Sequence, residues 1–187
     1  MSVFMLQYLV SCVTQSNTSR FSPVYLTDRA RFYLLPAAEI DKPLDCVQQI
    51  TVSYGGQEYI MDAWVRADEN GIEMALWTAL GMSIGDFSFS DLELSLNTPV
   101  FPSSFKAEYM AADFQLCYFR PKALQKALGD IGLSFAIENN QSSDEMMTEI
   151  RRISDAGKII IEIEKAGNYL RYTNFLRGYG WILRGAE

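Results

Sequence analysis

From Ala30 onward, apolar and polar residues alternate in short runs separated by turn residues, the period-two pattern of strands with one buried face. Ile50, Val52 and Tyr54 alternate with Thr51 and Ser53; Gly55 and Gly56 supply the freedom for a tight hairpin, and residues 59–66 form the returning strand. Residues 68–71 mark the next turn. Ile72, Met74 and Leu76 then alternate with Glu73, Ala75 and Trp77, and after Gly81 come strands over 84–88 and 92–96, parted near Ser90 and Asp91. The order predicts an antiparallel meander.

The period then changes. Phe105, Tyr109, Ala112, Leu116 and Phe119 recur at spacings of three and four, which predicts an amphipathic helix over 103–119. It breaks at Arg120, because Pro121 disfavours the helical region in its predecessor; Pro121 then suits the first turn of a second helix, 121–128, stopped by Gly129. After a short segment at 133–137, period two returns in Ile159, Ile161 and Ile163. Gly167 and Asn168 turn the chain, Leu170 and Tyr172 continue the alternation, and Tyr179, Trp181 and Leu183 end it on one face. Residues 143–154 have two readings: a helix behind a capping box of Ser142 and Glu145, or a strand over 149–154 hairpinned at 155–157. Strands, helices, then strands give an α+β pattern dominated by one curved antiparallel sheet whose apolar face the helices must cap.

Residues 3–10 are apolar apart from Gln7 and Tyr8, a run too short to span a bilayer but long enough for the core of an export signal. Leu9, Val10, Ser11 and Cys12 fit a bacterial lipobox, in which the thiol is acylated and becomes the mature N-terminus. Thr14 to Ser19 follow as a polar stretch suited to a tether. Met1 and Ser2 lack the usual positive charge, so an apolar N-terminus with an ordinary thiol is the competing reading.

Composition narrows the chemistry. The 187 residues, 49% apolar and 21% charged, suit one domain with a full core. The net charge of -7, with 16 scattered Lys and Arg against 23 Asp and Glu, argues against nucleic acid as a partner. The absence of histidine removes Ser-His and Cys-His catalysis and histidine metal sites. The three cysteines at 12, 46 and 117 have no metal-type spacing.

The segment from Tyr109 to Pro121 (YMAADFQLCYFRP), followed by Leu124 and Leu128, resembles the "LADLQLALWP" helix of a family of uncharacterised bacterial lipoproteins, whose genes in several genomes accompany aryl polyene biosynthesis. The likeness extends to FYLLP at 32–36, QQITVSYGGQ at 48–57, LGMSIGDFSFSD at 80–91, RRI at 151–153, IIIEI at 159–163 and GYGWIL at 178–183. Phe119 and Arg120 stand where the family has tryptophan before the proline. The family in turn looks like LolB, the outer-membrane lipoprotein that receives cargo from the periplasmic carrier LolA.

That resemblance implies a LolB-like half-barrel capped by helices, and it favours the strand over 149–154. It also implies a signal peptide at 1–11, a lipid-bearing Cys12 with a tether to residue 29, and one domain over 30–187. The expected protein is a non-enzymatic lipoprotein without cofactors, anchored on the periplasmic face of the outer membrane. It would bind a lipid, acyl or polyene chain and exchange it with a LolA-like carrier.

An apolar cavity can hold such a chain without ionic contacts, since each buried methylene contributes about 0.8 kcal/mol. The candidate lining residues are Trp64, Met74, Leu76, Trp77, Phe87, Phe89, Phe105, Tyr109, Ile161 and Trp181, with the pliable Met61, Met82 and Met110 beside them. Ordinary core packing explains the same alternation. Arg151 and Arg152 are either an anionic head-group clamp or partners of a neighbouring strand's glutamates. Gln49 and Gln115 are expected to satisfy buried backbone groups, and Asp86, Asp91 and Glu93 to be surface and turn residues. Cys46 and Cys117 are read as buried thiols, with a strand-to-helix disulfide as the alternative in an oxidising compartment.

Overall fold

The computed structural model describes residues 20–99, 106–141 and 147–185. Two short strands, β1 (Val24–Tyr25) and β2 (Arg31–Phe32), pair with each other, and a single 3-10 turn follows at Ala37–Glu39. The meander then runs through β3 (Leu44–Tyr54), β4 (Gln57–Asp68), β5 (Gly71–Trp77), β6 (Ser83–Phe89) and β7 (Leu94–Asn97). Helices α1 (Ala107–Tyr118) and α2 (Pro121–Asp130) lead to β8 (Ser134–Gln141), β9 (Met147–Asp155), β10 (Lys158–Ala166), β11 (Tyr169–Asn174) and β12 (Tyr179–Gly185).

The ten strands β3–β12 form one antiparallel sheet in the order β7-β6-β5-β4-β3-β12-β11-β10-β9-β8. It is curved and open, with β7 and β8 as its edges, so the expected half-barrel is what the chain builds. The last strand closes onto the first of the meander, Leu183 opposite Ile50 and Tyr179 opposite Tyr54. Gly55 and Gly56 both take positive φ, +59° and +78°, which is why glycines join β3 to β4. The strand reading of residues 149–154 holds: they lie inside β9, hairpinned to β10.

The concave face carries Met61, Ala63, Val65, Ile72, Met74, Leu76, Phe87, Phe89, Ile153, Ile161, Ile163, Tyr172 and Leu183, all buried. Helix α1 lies in this hollow. Ala111, Ala112, Phe114, Gln115, Leu116 and Cys117 are all buried, so α1 is enclosed nearly all round rather than amphipathic. The covering comes from the N-terminal segment. Leu35 N–H donates to Gln115 Oε1 at 2.9 Å and Gln115 Nε2 returns a bond to the Leu35 carbonyl at 3.0 Å, so a side-chain amide stands in for a strand neighbour. Asp41 N–H donates to the Tyr118 carbonyl, and Arg120 N–H to that of Glu39.

This strap moves the start of the packed chain ahead of residue 30: Val24, Leu26 and Thr27 are buried, so residues 20–29 are not all tether. Helix α2 begins at Pro121 as expected and buries Leu124 and Leu128. Asp91 Oδ1 accepts the Ala37 N–H at 2.7 Å, a structural use of one turn carboxylate. Cys46 and Cys117 are free thiols.

Candidate functional site

The turns β3–β4, β5–β6, β9–β10 and β11–β12 lie at one end of the antiparallel sheet, here called the upper end; β4–β5, β6–β7 and β10–β11 lie at the lower end. An open groove of about 410 Å³ runs between the β3–β4 and β11–β12 turns, walled by Tyr54, Tyr172, Phe175, Tyr179 and Trp181. Trp181 and Tyr172, opposite each other on β12 and β11, stack with ring centres 5.1 Å apart and planes 7° apart. Tyr172 also stacks on Tyr179 at 5.9 Å. Between these aromatics Gly180 is obligatory, because a Cβ there would meet the Tyr172 carbonyl oxygen at 2.7 Å. A smaller, polar hollow of about 320 Å³ at the lower end is lined by charges of both signs, among them Arg66, Asp68, Glu73 and Glu93, so the aromatic groove is the better candidate for an apolar ligand.

Behind the groove stands Asp113 of α1. Its Oδ1 accepts the Tyr172 hydroxyl at 2.7 Å and its Oδ2 the Tyr179 hydroxyl at 2.6 Å. Burial pushes its carboxyl from 3.8 up to about 6, against the two phenol donors and the nearby Arg177. Burial, with the Asp113 charge behind it, pushes both phenols up as well. With each carboxylate oxygen accepting a phenol, the trio ties α1 to β11 and β12. The Arg177 guanidinium reaches the Tyr25 carbonyl and lies 5.1 Å from the Tyr109 ring centre.

Apolar side chains crown the same end: Leu80 is 85% exposed on the β5–β6 turn, with Met82 beside it, Tyr54, Tyr59 and Ile60 around the β3–β4 turn, and Phe175 and Leu176 on the β11–β12 turn.

The expected lining residues separate by strand parity. Trp181 walls the groove and Tyr109 flanks Arg177. Met74, Leu76, Phe87, Phe89 and Ile161 face the hollow but are packed in the core. Trp64 and Trp77 are on the convex face: Trp64 alternates with buried Ala63 and Val65 and donates to Asp45 Oδ1 at 2.9 Å, while Trp77 pairs with Asp62. They do not line the hollow. Cys12 and Phe105 lie outside the described residues. Of the two arginines, Arg151 is buried beneath α1 and Arg152 pairs outside with Glu138 and Glu162. Gln115 satisfies buried backbone as expected, whereas Gln49 is exposed.

Asp113, Tyr172 and Tyr179 were not singled out from the sequence. The signal for Asp113 was there: a carboxylate set between the apolar Ala112 and Phe114 in the middle of the helix needs partners. Among the described residues no group of His, Cys, Asp and Glu could hold a metal ion.

A search of curated proteins finds no match. A family model matches residues 45–183, spanning β3 through β12 and both helices, and on that match the chain belongs to DUF3261, a family of proteins of unknown function.

Proposed function

We infer that this chain is a non-enzymatic binding protein that holds a long apolar moiety, an acyl or polyene chain, at its aromatic groove and assists its placement in the bacterial outer membrane. In this reading Cys12 carries the lipid anchor on the periplasmic face, and a LolA-like carrier is the exchange partner. The observation that carries it is the groove, an open pocket of about 410 Å³ with Tyr54, Phe175, Tyr179 and Trp181 among its walls. The exposed Leu80, Ile60, Phe175 and Leu176 around that mouth support contact with an apolar environment there. The resemblance of the sequence to a bacterial lipoprotein family that in turn looks like LolB supports the envelope part. No cofactor is required, because burial of methylenes supplies the affinity.

Trp64→Phe/Trp77→Phe leaves Trp181 as the remaining tryptophan and reports on the groove alone. Delipidated protein of this form should transfer energy from Trp181 to an apolar fluorescent dye, and palmitate should displace the dye. Absence of dye binding would overturn the reading in favour of a lipoprotein with a filled core. Mass spectrometry of the mature N-terminus, expressed in a Gram-negative host, tests the anchor: the expected peptide starts at acylated Cys12.

A further inference from the structure

The groove between the β3–β4 and β11–β12 turns is lined by two unlike sets of residues. Tyr54, Phe175, Tyr179 and Trp181 are aromatic, whereas Ser53, Arg171 and Thr173 are polar. Strand register brings the polar ones together. Ser53 of β3 and Thr173 of β11 are both opposite Gly180 of β12, which has no room for a Cβ, so no side chain stands between the two hydroxyls. Arg171, two residues before Thr173 on the same face of β11, is opposite Ile182, which also lines the groove.

Arg171 is the one charged residue among those that line the groove. Its side chain is 49% exposed, and its Nη2 donates to Glu164 Oε2 on the neighbouring strand β10. Glu164 itself is not part of the lining. A guanidinium carries five N–H groups in a fixed fork, and this pair uses one of its nitrogens, so Nε and Nη1 keep donors for a second acceptor. The pair is open to water, so a carboxylate entering the groove takes the place of water on the fork. The other arginine of this end, Arg177, is committed elsewhere: its guanidinium reaches the Tyr25 carbonyl and lies over the Tyr109 ring. The groove's volume of about 410 Å³ falls within the roughly 300–1,000 Å³ of small-molecule sites, which leaves room for a head group together with part of a chain.

We propose that the groove takes a single-headed carboxylate amphiphile, a fatty-acid-like molecule whose carboxylate pairs with the Arg171 fork beside the Ser53 and Thr173 hydroxyls while its chain lies along the aromatics. This rests on the groove reading above and narrows it from any apolar chain to one with an anionic end. Charge balance selects the head group. Arg171 and Glu164 cancel, so a bound carboxylate leaves the cluster with one net negative charge, whereas a phosphate monoester would leave it with nearly two. A neutral alcohol offers the guanidinium no charge to pair with.

Laurate and dodecanol, which share a chain and differ in the head, test the assignment. Each is titrated against an apolar fluorescent dye bound to delipidated full chain in the Trp64→Phe/Trp77→Phe form, with energy transfer from Trp181 as the readout. Laurate should displace the dye at a concentration about tenfold below that of dodecanol. Arg171→Gln should bring laurate to the level of dodecanol, and Arg171→Lys should keep most of the difference. Equal displacement by the two probes, or an unchanged ratio in Arg171→Gln, would overturn the proposal and leave the groove reading standing. Stronger displacement by dodecyl phosphate than by laurate would overturn the choice of a carboxylate. A chain that binds no dye at all would overturn the groove reading itself, and this proposal with it.

Discussion

Arg151 and Arg152 are neighbours in the chain and face opposite sides of one sheet. Arg151 turns inward, gives its guanidinium to Glu149 and to the end of α1, and is closed off from water. Arg152 turns outward and sits between Glu138 on β8 and Glu162 on β10, in reach of solvent. The same single step separates buried Leu76 from Trp77 and buried Gln48 from exposed Gln49. Three polar groups enclosed between the concave face and its cover position α1: Arg151 donates to carbonyls at its end, Gln115 pairs with Leu35, and Asp113 accepts from two tyrosines. On the convex face the pairs are exchangeable with water.

The sharpest way to break this contrast is Arg151→Met. It keeps much of the volume but leaves Glu149 half-buried without its guanidinium and two helix carbonyls unpaired, which is expected to cost about 3–5 kcal/mol. Chemical denaturation measures it. A loss below about 1 kcal/mol would mean that water reaches the site and that the two faces are alike.

Asp113 gives a smaller and pH-dependent effect. Its folded pKa is raised from 3.8 to about 6, so the folded chain holds a proton there more tightly than the unfolded one. The stability this contributes is fully present below pH 3.8 and is lost as pH rises through about 6. Asp113→Asn cannot titrate, so the difference between its stability curve and that of the wild type should fall across that window and be flat above it. Urea melts from pH 3.5 to 8 read this directly. A parallel pair of curves would show Asp113 to be solvated and the tyrosine trio loose.

Much of the architecture is legible in the sequence because it is local. The glycine hairpin at 55–56, the alternation in β4 and β5, and the break before Pro121 are each set by a few adjacent residues. What is not legible depends on distant partners. Closure of β12 onto β3 joins residues far apart in sequence, and parity alone did not say which of Leu76 and Trp77 faces in. The periodicity of α1 suggested one wet face, yet the strap from Val24 to Asp41 covers it, and nothing in the polar run before Val24 announces that strap. The groove was foreseen only through Trp181. Of its other walls, Tyr54, Tyr172 and Tyr179 follow the strand alternation without announcing a groove, and Phe175 lies in the β11–β12 turn, where an aromatic carries no pattern.

The smallest effect sharpens the comparison from the outer side. Arg152→Met removes a cation held by Glu138 and Glu162, and in dilute buffer leaves those two carboxylates on flanking strands without their bridge. Because water and counterions take over that role, the denaturation midpoint should move only slightly at low salt and not at all in molar salt. Arg151→Met, by contrast, should lose the same stability at both ionic strengths, since its partners are shielded from ions. If Arg152→Met matched it in size and in salt independence, the convex face around β9 would have to be covered in solution by another molecule, and the surface that carries Trp64 and Trp77 would become the place to look for it.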